Sequence, residues 1–197
     1  MKTPHTIFLL VLVTFFSAQN LWAAKFTAKI VSDGSKADFL AIGNPSALRI
    51  KGEGGVPQGE LTGDENQITG TIEVPLAPIT TGIGMRDRHM KEKYLEVEKF
   101  PKAILTIKKM KLPANSLKGD FTLDQVSYDG EIEIHGVKKP MQGVAKLERK
   151  GNTITTESGF KAKVSDFGIS IPSFAKITMA DEVDVKVRFN AALSSQK

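Results

Sequence analysis

Near its end the chain reads Val183-Asp184-Val185-Lys186-Val187-Arg188-Phe189-Asn190-Ala191. Apolar and polar side chains alternate along this stretch, and successive side chains of a β-strand point to opposite faces of a sheet. Val185, Val187 and Phe189 therefore share one face, and the charged residues between them take the other. This pattern is typical of an antiparallel strand that is buried on one side.

The same alternation recurs through most of the chain. Further runs rich in β-branched and aromatic residues are Phe26–Ser32, Asp38–Ile42, Ala47–Lys51, Ile68–Leu76, Ala103–Leu112, Ser116–Tyr128, Glu131–His135, Met141–Lys150 and Thr153–Val164. Clusters of Gly, Asn, Asp and Ser separate these runs and predict turns at Ser32–Ser35, Gly43–Ser46, Gly52–Gly55, Asp129-Gly130 and Lys150–Asn152. Frequent strands separated by such turns indicate an all-β sandwich or barrel.

The segment Asp87–Val97 departs from this rhythm. Its apolar residues are Met90, Tyr94 and Val97, which are spaced by four and three positions as on one face of a helix. Asp87 is a suitable N-cap, and Pro101 ends any continuation. We therefore predict one short amphipathic helix, and we expect it to cover one end of the β structure.

Residues 1–24 have the pattern of a secretory signal peptide. Lys2 supplies a positive charge, Ile7–Phe16 is an almost unbroken apolar run, and small residues follow it. A spanning helix needs about 20 apolar residues, which is more than this run provides. An uncleaved N-terminal anchor remains the alternative.

We expect cleavage after Ala23 or Ala24, which leaves residues 25–197 as one domain in the periplasm or outside the cell. The chain contains no Cys, so it has neither a disulfide nor a lipidation site at the predicted cleavage point. An exported domain of this kind depends on its core and its hydrogen bonds for stability.

Composition and charge exclude several classes of protein. Of the 197 residues, 41% are hydrophobic and 25% are charged, which is ordinary for a globular protein and excludes wholesale disorder. The formal net charge is +5. The longest basic clusters, Lys108–Lys111 and Lys138-Lys139, have no interleaved aromatic residues, so we do not expect nucleic-acid binding.

Few residues suit catalysis or metal binding. There is no Cys nucleophile, no Gly-x-Ser-x-Gly and no His-Glu-x-x-His motif. After the predicted cleavage only His89 and His135 remain, 46 positions apart and without a local ligand pattern. We expect no metal, no cofactor and no enzymatic activity.

An eight-strand antiparallel barrel is about the size at which the interior can hold one small ligand. A barrel lined by aliphatic residues, Met and Phe would take an apolar chain, with polar groups at its mouth. Alternation alone does not separate such a container from a solid β-sandwich, and both stay open at this point.

Three blocks carry a resemblance to a known family. The first is Gly84–Leu95 (GMRDRHMKEKYL), followed by Phe100–Leu105 (FPKAIL). The second is Glu131–Pro140 (EIEIHGVKKP), and the third is Lys163–Ile169 (KVSDFGI). In this order and spacing the blocks resemble those of the YceI-like family of polyisoprenoid-binding proteins.

The resemblance implies an antiparallel lipocalin-like β-barrel of about eight strands, with one short helix near one end and an elongated apolar cavity. Arg86, Asp87 and His89 would bind a polar head at the cavity mouth or tie the loop to the barrel through a buried ion-pair and hydrogen-bond network. His135 is a strand-end hydrogen-bonding residue or a contact to the head group. The other candidate ligand-binding residues are Met90, Phe167, Val185, Val187 and Phe189.

We therefore predict a periplasmic or secreted protein that sequesters or carries a polyisoprenoid, an isoprenoid quinone or a fatty-acyl amphiphile without chemical turnover. One alternative is a solid-cored stress or interaction protein that has no ligand. Another is an enzyme that acts on lipids through His89 or His135. A homodimer and a transient membrane contact are partners that the sequence leaves open.

Overall fold

The computed structural model describes residues 25–44, 48–64, 67–113, 119–174 and 177–195. The predicted signal peptide lies outside these residues. The strands of the described part are β1 Phe26–Asn44, β2 Arg49–Gly55, β3 Gln58–Gly63, β4 Gln67–Pro75, β5 Lys102–Lys111, β6 Phe121–Ile134, β7 Val137–Lys150, β8 Thr153–Lys163, β9 Ser173–Phe174 and β10 Ile177–Ser195.

Eight of these strands form a closed antiparallel barrel in the order β1-β3-β4-β5-β6-β7-β8-β10, because β10 pairs back onto β1. The first part of β1, Phe26–Lys29, pairs with β3, and the later part, Ala37–Ile42, pairs with the extra strand β2. The two-residue β9 pairs only with the start of β10. The predicted all-β antiparallel barrel is confirmed.

The alternating stretch quoted above lies in β10, which is paired on both edges. Val187 is the partner of Ala37 in β1 and of Ser158 in β8. The side chains of Val185, Val187 and Phe189 face the barrel interior, as the alternation predicts. Closing the sheet removes the edge that β10 would otherwise expose.

Two predicted turns are wrong, because their glycines allow close packing inside strands. Gly130 lies in the middle of β6, where a Cβ atom would come 2.4 Å from the Thr106 carbonyl oxygen of β5. Gly52 lies in β2, where a Cβ atom would come 2.0 Å from the Phe39 ring. Both positions need glycine for the approach of a neighbour rather than for a change of direction.

The predicted turn at Ser32–Ser35 is an irregularity within β1, where the register with β10 shifts. Gly34 has a φ of 68° there. The Asn190 backbone N–H donates to Ser35 Oγ at 3.0 Å, and Asn190 Nδ2 donates to the Asp33 carbonyl at 2.9 Å. These bonds satisfy backbone groups that the interrupted ladder leaves free, so the chain continues as one strand.

The single α-helix of the described residues is short and joins β4 to β5 at one end of the barrel. The helix α1 spans Gly84–His89 and continues into a π-helical turn at Met90–Tyr94. Its N-cap position is occupied by Ile83, so the prediction that Asp87 caps the helix is wrong. Asp87 lies inside α1, and its carboxylate bonds to the segment that precedes the helix.

Candidate functional site

A cavity of about 850 Å³ occupies the interior of the barrel. Protein interiors are normally packed with few voids larger than a water molecule, so a space of this size needs an explanation. Its lining is almost wholly apolar and comes from the inward faces of the strands, including Ala28, Phe39, Leu61, Ile72, Ile107, Ile132, Leu147, Phe160, Val183, Val185, Val187, Phe189 and Ala191.

The cavity opens at the end of the barrel that carries α1. Ile83 and Met85 both belong to the lining, and they are 53% and 74% exposed to solvent. At the opposite end, lining residues such as Ile68, Ile154 and Ala191 are buried. We call the end formed by α1 and its flanking loops the mouth.

The structure brings most of the predicted site residues to this cavity. Val185, Val187 and Phe189 line its wall, and Phe167 and Met90 belong to the lining as well. Two more predicted residues, Arg86 and His89, lie at the mouth, where His89 is exposed. Their contact with a ligand stays a prediction.

A group of hydrogen bonds that we call the threonine anchor fixes the start of α1. Asp87 accepts hydrogen bonds from the Thr80 hydroxyl, from the Thr81 hydroxyl, and from the Thr81 backbone N–H at 2.7 Å. Arg86 Nε donates to Thr81 Oγ1 and Arg86 Nη2 donates to the Thr81 carbonyl, each at 2.7 Å. The hydrogen bond from Thr80, followed by that from Thr81, lowers the pKa of Asp87 to about 2.

The anchor has the hydrogen bonds of the network that the sequence suggested, but not its ion pair. In the described part of the chain Arg86 and Asp87 form no salt bridge with each other, and Thr81 links them instead. Both side chains are half-buried, while His89 takes no part. The arrangement ties the loop before α1 to the helix, whereas the expected structural role was to tie the loop to the barrel.

His135 lies outside the cavity lining, in a separate group that we call the histidine cluster. Its Nε2 is 2.9 Å from Glu96 Oε2, and its Nδ1 is 3.2 Å from the Phe167 carbonyl oxygen. The Phe100 ring packs against the imidazole with 4.4 Å between ring centroids. His135 and Gly136, both with positive φ, form the two-residue turn between β6 and β7.

The two partners of this imidazole are a carbonyl and a carboxylate, and each can only accept a hydrogen bond. Both contacts are therefore full hydrogen bonds only when both ring nitrogens carry a proton. The pKa of Glu96 is lowered by the hydrogen bond from Lys99 and then by the one from His135. The cluster joins the segment after α1, the β6–β7 turn and the 3₁₀ turn Val164–Phe167.

Sequence reasoning missed three hydroxyl groups inside the apolar cavity, those of Tyr128, Thr156 and Ser158. Tyr128 Oη lies 3.2 Å from Ser158 Oγ, which donates to the Val144 carbonyl at 2.9 Å. Burial raises the pKa of Tyr128. The alternation of side chains along β8 predicts two of these hydroxyl groups. Thr156 and Ser158 occupy the inward positions between Ile154 and Phe160.

Within the described ranges, no three His, Cys, Asp or Glu side chains are grouped in a way that would hold a metal ion. Across the same residues, no helix has both the length and the apolar character needed to cross a membrane.

The sequence profile of the YceI-like domain matches residues 29–191, which is most of the chain. The chain belongs to the YceI-like family. No curated protein sequence matches it significantly. The matched range contains β2 to β9, most of β1 and β10, α1 and both groups of hydrogen bonds described above.

Solved structures share this fold at low sequence identity. BcnA of Burkholderia cenocepacia has a TM-score of 0.67 and 16% identity, over 83% of this chain and 99% of that chain. A polyisoprenoid binding domain from Saccharophagus degradans has a TM-score of 0.66 and 14% identity, over 87% and 99%. The Campylobacter jejuni YceI protein has a TM-score of 0.56 and 18% identity, over 75% and 85%. At these identities the likeness shows the fold.

Proposed function

We propose that this YceI-like protein sequesters or carries a long apolar ligand in the barrel cavity, without chemical turnover. The ligand is a polyisoprenoid, an isoprenoid quinone or a fatty-acyl amphiphile. The proposed site of action is the periplasm or the exterior of the cell, on the strength of the signal-peptide pattern at residues 1–24.

The observation that carries the proposal is the size and character of the cavity. Ligand sites in proteins typically measure about 300–1,000 Å³ and are lined mainly by apolar side chains. The cavity of about 850 Å³ lies in that range. It is several times larger than the ~150 Å³ engineered cavity that accepts a single benzene ring. A long hydrocarbon chain recovers the packing contacts that the lining residues otherwise lack.

Two places suit the polar part of such a ligand. Inside the cavity, the buried Thr156 hydroxyl can donate to a carbonyl group of the ligand. The Tyr128–Ser158 pair can accept from a hydroxyl group, because Ser158 already donates to the Val144 carbonyl and Tyr128 to Ser158. At the mouth, Arg86 and His89 offer positive charge or donors to a head group. A ligand with a hydrogen-bonding group on a hydrocarbon body fits this distribution better than a pure hydrocarbon, because buried polar groups are normally hydrogen-bonded.

The structural neighbour from Saccharophagus degradans is described as a polyisoprenoid binding domain, which supports the ligand class. The cavity weighs against a solid-cored interaction protein. An enzyme that uses His89 or His135 is disfavoured because His89 lies on α1 at the mouth, whereas His135 is held in the histidine cluster. The two imidazoles do not form a common site.

Native mass spectrometry of the protein as isolated from the producing cell tests the proposal. We expect a bound species that is absent from the denatured protein. After organic extraction its mass should belong to a lipid that carries a polar group. Protein of bare polypeptide mass that also takes up no isoprenoid or acyl probe would contradict the proposal.

A further inference from the structure

The most exposed large apolar side chains among the described residues lie at the mouth. Met85 is 74% exposed and Ile83 is 53% exposed, while the next, Val144 on the outer wall, is 44% exposed. Ile83 occupies the position before α1, and Met85 is the second residue of the helix. Both also line the cavity. An apolar surface therefore continues from the cavity lining out into solvent at this end of the barrel.

Basic residues follow these apolar residues in the same helical segment. Arg88, Lys91 and Lys93 lie on α1 and the π-helical turn, and the only acidic residue in this stretch besides the anchored Asp87 is Glu92. None of the salt bridges of the described residues involves these three cations, whereas wall lysines such as Lys146 are paired with carboxylates.

We infer that the mouth docks on the surface of an anionic lipid bilayer. The docking face consists of Ile83, Met85, Arg88, Lys91 and Lys93. In this arrangement the two apolar side chains enter the interfacial region of the bilayer, and the three cations lie at the level of anionic head groups. The cavity then opens toward the hydrocarbon region.

The inference rests on the proposed function, because a long apolar ligand passes poorly through water and its exchange is fastest where the cavity meets a membrane. Charge complementarity favours a bilayer over a protein partner, since exposed apolar side chains accompanied by Lys and Arg are typical of interfacial membrane binding. The attraction to anionic lipid is screened by salt, as for other exposed charges.

Vesicle co-sedimentation of the protein as isolated tests the docking face. We expect strong binding to vesicles of phosphatidylcholine with phosphatidylglycerol, weak binding to phosphatidylcholine alone, and a loss of binding as salt is raised. Met85→Asp should reduce binding about tenfold or more, because it replaces an inserted apolar side chain by a charge. Val144→Asp makes the same change in charge on the wall and should bind as the wild type does.

The charged part of the face has its own test. Lys91→Glu combined with Lys93→Glu should remove the preference for phosphatidylglycerol while the melting temperature stays near that of the wild type. Equal binding of wild type and Met85→Asp, or equal binding to both kinds of vesicle, would overturn the inference. A wild-type dimer in solution that Met85→Asp converts to monomer would also overturn it, because the face would then be an interface between copies.

Ligand uptake separates failure of docking from failure of the proposed function. Arg88 and Lys91 belong to the docking face but not to the cavity lining, so Arg88→Glu combined with Lys91→Glu is the variant for this test. It should take up a fluorescent fatty-acyl probe from dilute solution as well as the wild type does, but acquire it more slowly from anionic vesicles. If this variant loses uptake from both sources, its side chains belong to the ligand site and the docking inference is rejected. Equal transfer rates from vesicles for Met85→Asp and Val144→Asp would reject it as well.

Discussion

The barrel wall and the mouth are held together in different ways. Where β1 meets β10, backbone pairing runs from Phe26 and Ser195 at one end to Asn44 and Thr178 at the other. The segment between β4 and β5, which forms the mouth, has only isolated backbone hydrogen bonds to the barrel, such as the reciprocal pair between Thr80 and Glu53 of β2. Side-chain hydrogen bonds of the threonine anchor and the histidine cluster supplement them. Changes in the wall should therefore alter what the cavity can hold, whereas changes in the mouth should alter how firmly its entrance is fixed.

The largest effect is expected from filling the cavity at the wall. In Val187→Trp the ring projects into the space that a ligand would occupy, because the cross-strand partners Ala37 and Ser158 are small. Uptake of a fluorescent isoprenoid or fatty-acyl probe should fall about tenfold or more. Overpacking a solid core costs about 1–3 kcal/mol, but an open cavity accepts the ring at lower cost. The melting temperature of delipidated protein should change little.

Val144→Trp is the matched control, since it adds the same ring at an exposed position on the outside of β7. It should leave both uptake and melting temperature near the wild-type values. Unchanged uptake in Val187→Trp together with a large drop in melting temperature would contradict the container interpretation and favour a solid core.

An intermediate effect is expected from Arg86→Ala in the threonine anchor. The change removes two hydrogen bonds from a half-buried guanidinium to Thr81, and hydrogen bonds of charged groups contribute about 1.5–3 kcal/mol each in buried settings. Because Arg86 is partly solvated, we expect a total loss of about 2 kcal/mol. For a chain of this length that corresponds to about 4–8 °C in melting temperature.

Arg88→Ala removes the same charge from an exposed position on the same helix and serves as the control. In Arg86→Ala the melting temperature should fall as described, while uptake of the fluorescent probe should stay closer to the wild-type value. If Arg86→Ala has the same melting temperature as Arg88→Ala but no longer binds the probe, then Arg86 is a ligand contact instead of a structural residue.

The sequence predicted the wall better than the mouth, and the reason is physical. The alternation in β10 shows which side chains face the interior without knowledge of the neighbouring strands, because each inward position is apolar. The turn predicted at Gly130 is wrong because glycine serves both turns and close strand packing, and only the position of the Thr106 carbonyl distinguishes the two. The strand pairing that places this carbonyl is a tertiary property.

At the mouth the decisive contacts join residues that no local pattern connects. The sequence pattern indicates Asp87 as an N-cap, but the helix begins at Gly84, and the Asp87 carboxylate accepts hydrogen bonds from Thr80 and Thr81 of the preceding loop. The hydrogen bond between His135 and Glu96 spans 39 positions. Family resemblance drew attention to Asp87 and His135, while their partners emerged only from the fold.

The smallest effect is expected from titrating the threonine anchor with acid. The pKa of Asp87 is lowered from 3.8 to about 2 by hydrogen bonds that its ionised form accepts. A carboxyl group whose pKa is lower in the folded state stabilises the protein above its unfolded-state pKa, and this contribution is lost as the pH falls through the folded-state pKa. The contribution of Asp87 should therefore be complete above about pH 4 and should decline toward about pH 2.

Asp87→Asn isolates this effect, because the amide keeps the shape of the side chain but does not titrate. We expect the variant to melt below the wild type at neutral pH, and the difference between the two melting temperatures to shrink on acidification from pH 4 to pH 2. Asp124→Asn makes the same change in charge on a carboxyl group that is 70% exposed, and it controls for net charge. A difference between wild type and Asp87→Asn that stays constant down to pH 2, or one that shrinks equally in the control, would show that the anchor does not depend on the ionised carboxylate. The threonine hydroxyls would then hold the mouth with either protonation state, and the contrast between mouth and wall would lose its acid-sensitive component.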